Sequence, residues 1–483
     1  MTQAPVWLVL IPFSAALLAL ILPLEQRRLL VWSTCALSLG VAAWLATEVA
    51  LHGALRYDIG GWPAPLGIGL YADGLSAAMI IITSVVTSAA SLFSLEYRVD
   101  ADAHDRRMYW PLWFFLWGSL HAIFLAADLF NMYVVLEIVG VAGIALIAIT
   151  SSPAALTAAM RYMIVAFLGS LSFLMGVAIL YAEHHTLDLL LLGGLVADSS
   201  ASGLAFALMI AGMVLKTALF PMHFWLPPAH AAAPAPVSAM LSALVVKASF
   251  FVLLRLWFTV FQNAPLAAAG QILGLLGSAA IIWGSYQALQ QRRIKMMIAH
   301  STVAQVGYLF LLFPLTAGGA ADAAWFSEIW TGVSYHAMAH ALAKASLFLC
   351  AGAIAFRFGT DRLQSLSRLS SRMPLVTLAI AAAGVSLIGL PPSGGFVAKW
   401  LIMKAVVASG QWWWLPGVVA GSLLTASYVF LILHFAFSEQ EGPAPTRPSP
   451  RMMELAALVL ALLAIAAGFR LEEPLNLLSI GLP

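Results

Sequence analysis

The chain is 483 residues long, 62% hydrophobic and only 9% charged, with a formal net charge of +2 and a mean hydropathy of +0.95. This composition excludes a soluble enzyme, leaves no room for a large extramembrane domain and describes an all-α polytopic membrane protein. Basic residues are scattered through short loops, so nothing points to nucleic acid. Cys35 and Cys350 stand alone in apolar stretches, without a Cys-x-x-Cys pair for iron–sulfur, zinc or dithiol chemistry.

Taken in chain order with a window of about 20 residues, the hydrophobic runs predict about fourteen membrane spans. Their approximate limits are 4–24, 29–50, 73–95, 110–127, 130–150, 157–182, 203–220, 236–261, 266–289, 297–314, 326–356, 374–408, 412–437 and 452–469. The first run lacks the charged n-region of a signal peptide and is followed at once by another span, so it reads as a retained helix. With the N-terminus outside, the inner loops hold Arg27, Arg28, Arg98, Arg106, Arg107, Arg161, Arg292, Arg293, Lys295, Arg357, Arg362, Arg368, Arg372, Arg447 and Arg451, and the outer loops only Arg56 and Arg470. That asymmetry predicts both termini outside, which is periplasmic for a cell inner membrane.

Two spans carry helix-breaking segments. Leu219-Phe220-Pro221 through Pro227-Pro228 interrupts the seventh, and Gly389-Leu390-Pro391-Pro392-Ser393-Gly394-Gly395 the twelfth. Interruptions five spans apart predict two inverted five-helix repeats, spans four to eight and nine to thirteen. The chain then divides into residues 1–108 (spans one to three), 109–262, 263–438 and a C-terminal span in 439–483.

Lys216, Lys247 and Lys399 lie within or beside these apolar spans. A charge at the bilayer centre costs about 2.5–3.5 kcal/mol on insertion scales, so the default reading is a polar pathway. Burial favours a neutral amine and a nearby carboxylate favours the ammonium. Glu137 in the fifth span is the candidate partner of Lys216, and moving it would load or release a proton. Lys247 is next as a relay. His336, His340 and Lys344 recur every four residues and form one stripe drifting by about 40° per step. The two histidines have metal-ligand spacing, but no third ligand is near in sequence and Lys344 repels cations. Proton relay and core hydrogen bonding remain as readings. Lys404 and Arg255 read as interfacial anchors. The clusters Trp110, Trp113, Trp117 and Trp412, Trp413, Trp414 read as lipid-interface belts and packing rather than a quinone site. No nucleotide loop, flavin motif or nucleophile constellation is present, so no cofactor is expected and the chain by itself is not read as a catalyst.

The run Leu215-Lys216-Thr217-Ala218-Leu219-Phe220-Pro221-Met222-His223-Phe224-Trp225-Leu226-Pro227, followed by Ala233-Pro234-Ala235-Pro236-Val237-Ser238-Ala239, resembles the signature of the proton-conducting antiporter-like subunits. That family comprises the D and A subunits of Mrp-type sodium/proton antiporters, the L, M and N type subunits of complex I, and relatives in membrane-bound hydrogenases. Asp128-Leu129-Phe130-Asn131 with Glu137, Ala304-Gln305-Val306-Gly307-Tyr308, the His336/His340/Lys344 stripe and the Gly389–Phe396 segment also resemble family elements. The chain is most similar to the D-type Mrp subunits: it ends soon after the last span, where L-type subunits carry a lateral helix, and Lys399 stands where M-type subunits usually have glutamate. Pro228 and Ala233 depart from the aspartate and glutamate frequent in relatives.

The resemblance implies a proton path through Glu137, Lys216, Lys247 and Lys399; the residues themselves add His336, His340 and Lys344 to that path, with His223, His230 and Asp128 as accessory candidates. It implies other integral membrane subunits as obligate partners, with protons and sodium as the transported ions. Three readings follow: a Mrp-type cation/proton antiporter subunit, a subunit of a complex I (NADH:quinone oxidoreductase) or hydrogenase-like complex driven by redox partners, and a non-conducting scaffold.

Overall fold

The computed structural model describes residues 2–97, 103–317, 325–440, 442–470 and 472–482. Arg98 and the Arg106 side chain, two of the expected inner-loop cations, lie outside the described residues. The chain opens with α1 (Ala4–Ile21) and α2 (Arg27–His52), then an antiparallel hairpin of β1 (Leu55–Asp58) and β2 (Gly69–Ala72) in which Leu55 faces Ala72. Next come α3 (Gly74–Tyr97), α4 (Ala103–Leu125), α5 (Leu129–Ala148), α6 (Pro153–His184) and the short α7 (Leu189–Leu195). The seventh span is split into α8 (Ser200–Lys216) and α9 (Leu226–Ala232). The eighth is one rod, α10 (Ala235–Met240) and α11 (Val246–Arg255), with π-helical segments at Leu241–Val245 and Leu256–Val260.

The second half contains α12 (Ala267–Leu289), α13 (Ile294–Leu309) with its extension α14 (Leu312–Thr316), and α15 (Phe326–Phe358). The short α16 (Leu369–Arg372) leads into the split twelfth span, α17 (Pro374–Ile388) and α18 (Gly394–Ala408). The chain closes with α19 (Leu415–Phe437), α20 (Arg451–Ala466) and the short α21 (Glu472–Leu478). Among the described residues, 11 helices are long and apolar enough to cross a membrane. The other three expected spans are the two split ones and α20, which at 16 residues is slightly short. The fourth helix begins at Ala103 rather than near 110, because its polar first turns are helical but invisible to a hydropathy window.

Helix starts follow local side-chain chemistry. Ser152 caps α6 by accepting from Ala155 N at 3.2 Å, with Pro153 in the first turn; Ser199 caps α8 through Ser202 N at 3.0 Å; Ser393 restarts the chain into α18 through Phe396 N at 3.2 Å. Every residue of the rod from Ala235 to Trp257 is buried, and α15 is mostly so. By contrast, α6 and α12 present Leu168, Leu171, Ile272 and Leu275 outward, as lipid-facing helices do. Helices α6 and α8 touch through glycines: a Cβ at Gly212 would lie 2.3 Å from the Gly169 carbonyl oxygen.

Candidate functional site

Helix α8 stops at Lys216 because Ala218 turns the backbone to φ +57° and Pro221 follows. The carbonyls freed by that stop need donors. Trp225, across the break, donates its indole N–H to the Leu215 carbonyl at 3.1 Å, and stacks on Tyr162 of α6 with centroids 4.4 Å apart. Lys216 Nζ lies 3.1 Å from Glu137 Oε1 of α5. The Ser170 hydroxyl of α6 donates to the same carboxylate oxygen. The lysine stem lies across Gly169, where a Cβ would stand 3.0 Å from Lys216 Cγ. Lys216 is buried, and Glu137 keeps 22% of its side chain exposed.

Lys247 depends on the first π-helical segment. The wider turn at Leu241–Val245 leaves the Ser242 carbonyl outside the regular ladder, and Lys247 Nζ donates to it at 2.6 Å. A direct chain of contacts continues from there. Ser242 Oγ is 2.8 Å from Thr302 Oγ1 on α13; Thr302 donates to the Ile298 carbonyl at 3.1 Å; Lys344 Nζ of α15 donates to that same carbonyl at 2.9 Å and to the Ser301 hydroxyl. Lys247 and Lys344 are both buried and have no carboxylate partner among the described residues.

Lys399 occupies the second break. Its ammonium folds back to cap the C-terminus of α17, donating to the carbonyls of Leu387 at 2.9 Å and Ile388 at 3.2 Å. It also meets Ser422 Oγ at 3.1 Å and Tyr308 OH at 3.5 Å, and lies 4.4 Å from the Tyr308 ring centroid. Tyr308 in turn faces His336 at 5.2 Å, and His336 stacks on His340 at 5.8 Å. His336 Nε2 is 3.1 Å from the Gln305 carbonyl oxygen; its Nδ1 and both ring nitrogens of His340 have no protein partner. No group of three or more His, Cys, Asp or Glu that could hold a metal is gathered among the described residues.

The expected site residues thus fall into three clusters: Glu137 with Lys216, Lys247 with Lys344, and His340–His336 with Lys399. Among the described residues no direct hydrogen bond joins Lys216 to Lys247. The accessory candidates separate. His230 is fully buried, stacked 4.7 Å from Phe348, with neither ring nitrogen partnered. His223 is half-buried in the break against Phe220. Asp128 stands apart from the lysines and caps α5 through Asn131 N at 2.7 Å. Burial holds its carboxyl above the usual range, with the Asn131 N–H opposing and Asp188 adding to the rise.

Sequence reasoning missed Tyr308, Ser422 and Ser301 as contacts of the lysines, and Thr302 as the link between Ser242 and the Ile298 carbonyl. Tyr308 was legible only as part of a motif. Arg255, expected as an interfacial anchor, is instead buried in a bidentate pair with Asp73 at 2.6 and 2.8 Å. Trp113 and Trp117 belong to the packing part of the expected belts and packing: both are buried and donate to Ser91 at 2.8 Å and His121 at 3.1 Å. Trp412 and Trp413 are exposed as a belt would be.

The chain is 33% identical to the N-type subunit of the NADH-quinone oxidoreductase of Desulforudis audaxviator, over 98% of this chain and 92% of that protein. It is 28% identical to the D-type subunit of the Na(+)/H(+) antiporter of Bacillus subtilis, over 96% and 93% respectively. Its fold superposes with a TM-score of 0.90 on a chain of the membrane-bound sulfane sulfur reductase, an archaeal respiratory membrane complex, at 26% identity and covering 99% and 96% of the two chains. The pattern of the NADH:quinone oxidoreductase/Mrp antiporter transmembrane family matches residues 126–425, a stretch holding both helix breaks and every lysine of the three clusters, and the chain belongs to that family.

Proposed function

We propose that this chain is the proton-translocating subunit of a multisubunit membrane complex that exchanges a monovalent cation, sodium, for protons. The observation that carries this reading is the Lys216–Glu137 pair at 3.1 Å, at the end of an interrupted helix and near the middle of α5. A lysine held by a carboxylate from another helix gains or loses proton affinity as that carboxylate moves. The likeness to the D-type antiporter chain of Bacillus subtilis supports the exchange reaction. The 33% identity with an N-type oxidoreductase chain favours a second reading, in which the same path is driven by redox chemistry in partner chains.

On this reading the proton passes from Glu137 and Lys216 to Lys247, Lys344, the two histidines and Lys399. Each step has to be cheap, because a potential of 100 mV supplies only about 2.3 kcal/mol per charge. The chain crosses the cell inner membrane about fourteen times, with both termini on the outside, in keeping with the inner-loop excess of arginine. The breaks before Leu226 and Gly394 support inverted repeats over 109–262 and 263–438.

The test is the native assembly in vesicles with a pH-sensitive dye. Lys216→Ala is expected to abolish proton flux while the complex still assembles; normal flux refutes the route and favours the scaffold reading. The chains that co-purify separate the two driving reactions: small membrane subunits for the antiporter, iron–sulfur and quinone-site subunits for the redox complex.

A further inference from the structure

The rod from Ala235 to Val260 ends in a cavity on either side. At the Ala235 end a cavity of about 580 Å³ is lined by Ala233, Lys295, Arg293 and Asp361. Lys295 donates to the Ala233 carbonyl, and the unpartnered His230 lies one residue before the lining. At the other end a cavity of about 300 Å³ is lined by Arg255, Thr259, Gln262, Tyr71 and Trp330. Lys247 sits between them, eight residues or roughly 12 Å of helix from Arg255. Were both cavities in proton contact with Lys247, one helix would short-circuit the membrane.

We propose that Arg255 is the charge barrier that closes this rod to protons at its Val260 end. The proposal rests on the reading of Lys247 as a member of the proton path. Two observations support it. Arg255 lines the cavity while its counter-ion Asp73 does not. The guanidinium is fixed by the two Asp73 bonds, by Ser76 Oγ at 3.0 Å and by the Phe251 ring at 4.7 Å. It therefore cannot swing aside as a free lysine can. A guanidinium also stays protonated throughout the functional pH range, so unlike the lysines of the path it repels an arriving proton and cannot pass one on. Fixed arginines exclude protons in this way in water-filled pores.

The test uses the assembled complex in vesicles, with an imposed pH gradient, the potential clamped and no driving ion or redox substrate. Passive proton leak is expected to rise about tenfold in Arg255→Gln, from loss of one unit charge near the path, and to rise less in the double variant Arg255→Gln/Asp73→Asn, which removes the fixed guanidinium while leaving the net charge unchanged. Arg255→Lys keeps a positive charge but can swing and release its proton, so its leak is expected to lie between wild type and Arg255→Gln. Gln262→Glu, which leaves the pair intact and adds a negative charge at the cavity wall, raises the leak to a smaller extent. Wild-type leak in the assembled double variant and in Gln262→Glu overturns the barrier and leaves Arg255 as a tie between α3 and α11. Should only Gln262→Glu assemble, its leak decides alone. Flux that survives Lys216→Ala sinks the route and not the barrier, whereas lost flux in that variant with unchanged leak in these sinks the barrier alone.

Discussion

The two helix breaks hold their lysines in different ways. Lys216 leaves the last turn of α8 and meets a carboxylate from another helix, Glu137, at 3.1 Å. Lys399 sits past its break and turns back onto the carbonyls that α17 leaves unpaired, at 2.9 and 3.2 Å, with only hydroxyls and a tyrosine ring beside it. The first ammonium is balanced by a full charge carried on a separate element. The second is balanced by the partial charge of a helix C-terminus, fixed in place by the backbone. A charge on another helix can be moved; a helix terminus cannot. On the proposed reading the first break is therefore where coupling enters, and the second is a fixed terminal station.

The largest expected effects test that asymmetry. Lys216→Ala and Lys399→Ala each abolish proton flux in vesicles while the complex is still recovered intact. Glu137→Gln keeps the shape of its site and removes only the charge, and is expected to abolish flux as well. Retained flux in Glu137→Gln would break the comparison, since Lys216 would then need no more than a neutral acceptor, as Lys399 does.

A smaller effect separates the backbones. Gly389 turns the second break at φ +87°, and a Cβ there would stand 2.8 Å from Lys399 Cδ. Gly389→Ala is expected to destabilise by about 1–3 kcal/mol and to displace Lys399, with loss of flux. In the first break the left-handed position is Ala218, at φ +57°. Ala218→Gly relieves that conformation, so the folded complex should lose nothing or gain up to about 1 kcal/mol. Thermal unfolding of the purified complex, read beside its flux, checks both, and equal destabilisation would show that the breaks are not built on their turn residues.

The breaks were legible because prolines and glycines cannot continue a helix, and the buried lysines because charge is rare in apolar runs. Their partners were legible only where the partner was itself an anomaly. Glu137 stood out as a lone carboxylate in an apolar span. The Leu387, Ile388 and Ser242 carbonyls could not stand out, since backbone acceptors carry no sequence signal and the π-helical turn that frees Ser242 has no residue signature. Arg255 failed for the opposite reason. Its position near a helix end fits an interfacial anchor, and only the tertiary placement of Asp73, 182 residues away, reveals the pair.

Tyr308 sharpens the second break further. It offers Lys399 both a ring face and a hydroxyl, and that hydroxyl also donates to the Val418 carbonyl at 3.2 Å. Tyr308→Phe keeps the ring and loses the hydroxyl, a change of about 1 kcal/mol that should slow flux severalfold. Tyr308→Leu removes both and should slow it more. If the two variants are equal, the ring contributes nothing beyond what the hydroxyl supplies.

The smallest effect comes from the same helix as Lys399. Lys404 lies five residues further along α18, on another face, and pairs with Glu328 at 2.5 Å while 48% of its side chain remains exposed. Exposed pairs of this kind are worth about 0–1 kcal/mol, and no contact links Lys404 to Tyr308, Ser422 or the histidines among the described residues. Lys404→Ala should therefore leave assembly and flux at wild-type levels in the vesicle assay that Lys399→Ala fails. The two substitutions remove the same side chain from one helix, so a difference between them isolates position from charge. A flux defect in Lys404→Ala as large as that in Lys399→Ala would mean that α18 needs its total charge, and the carbonyl cap at the second break would lose its special role.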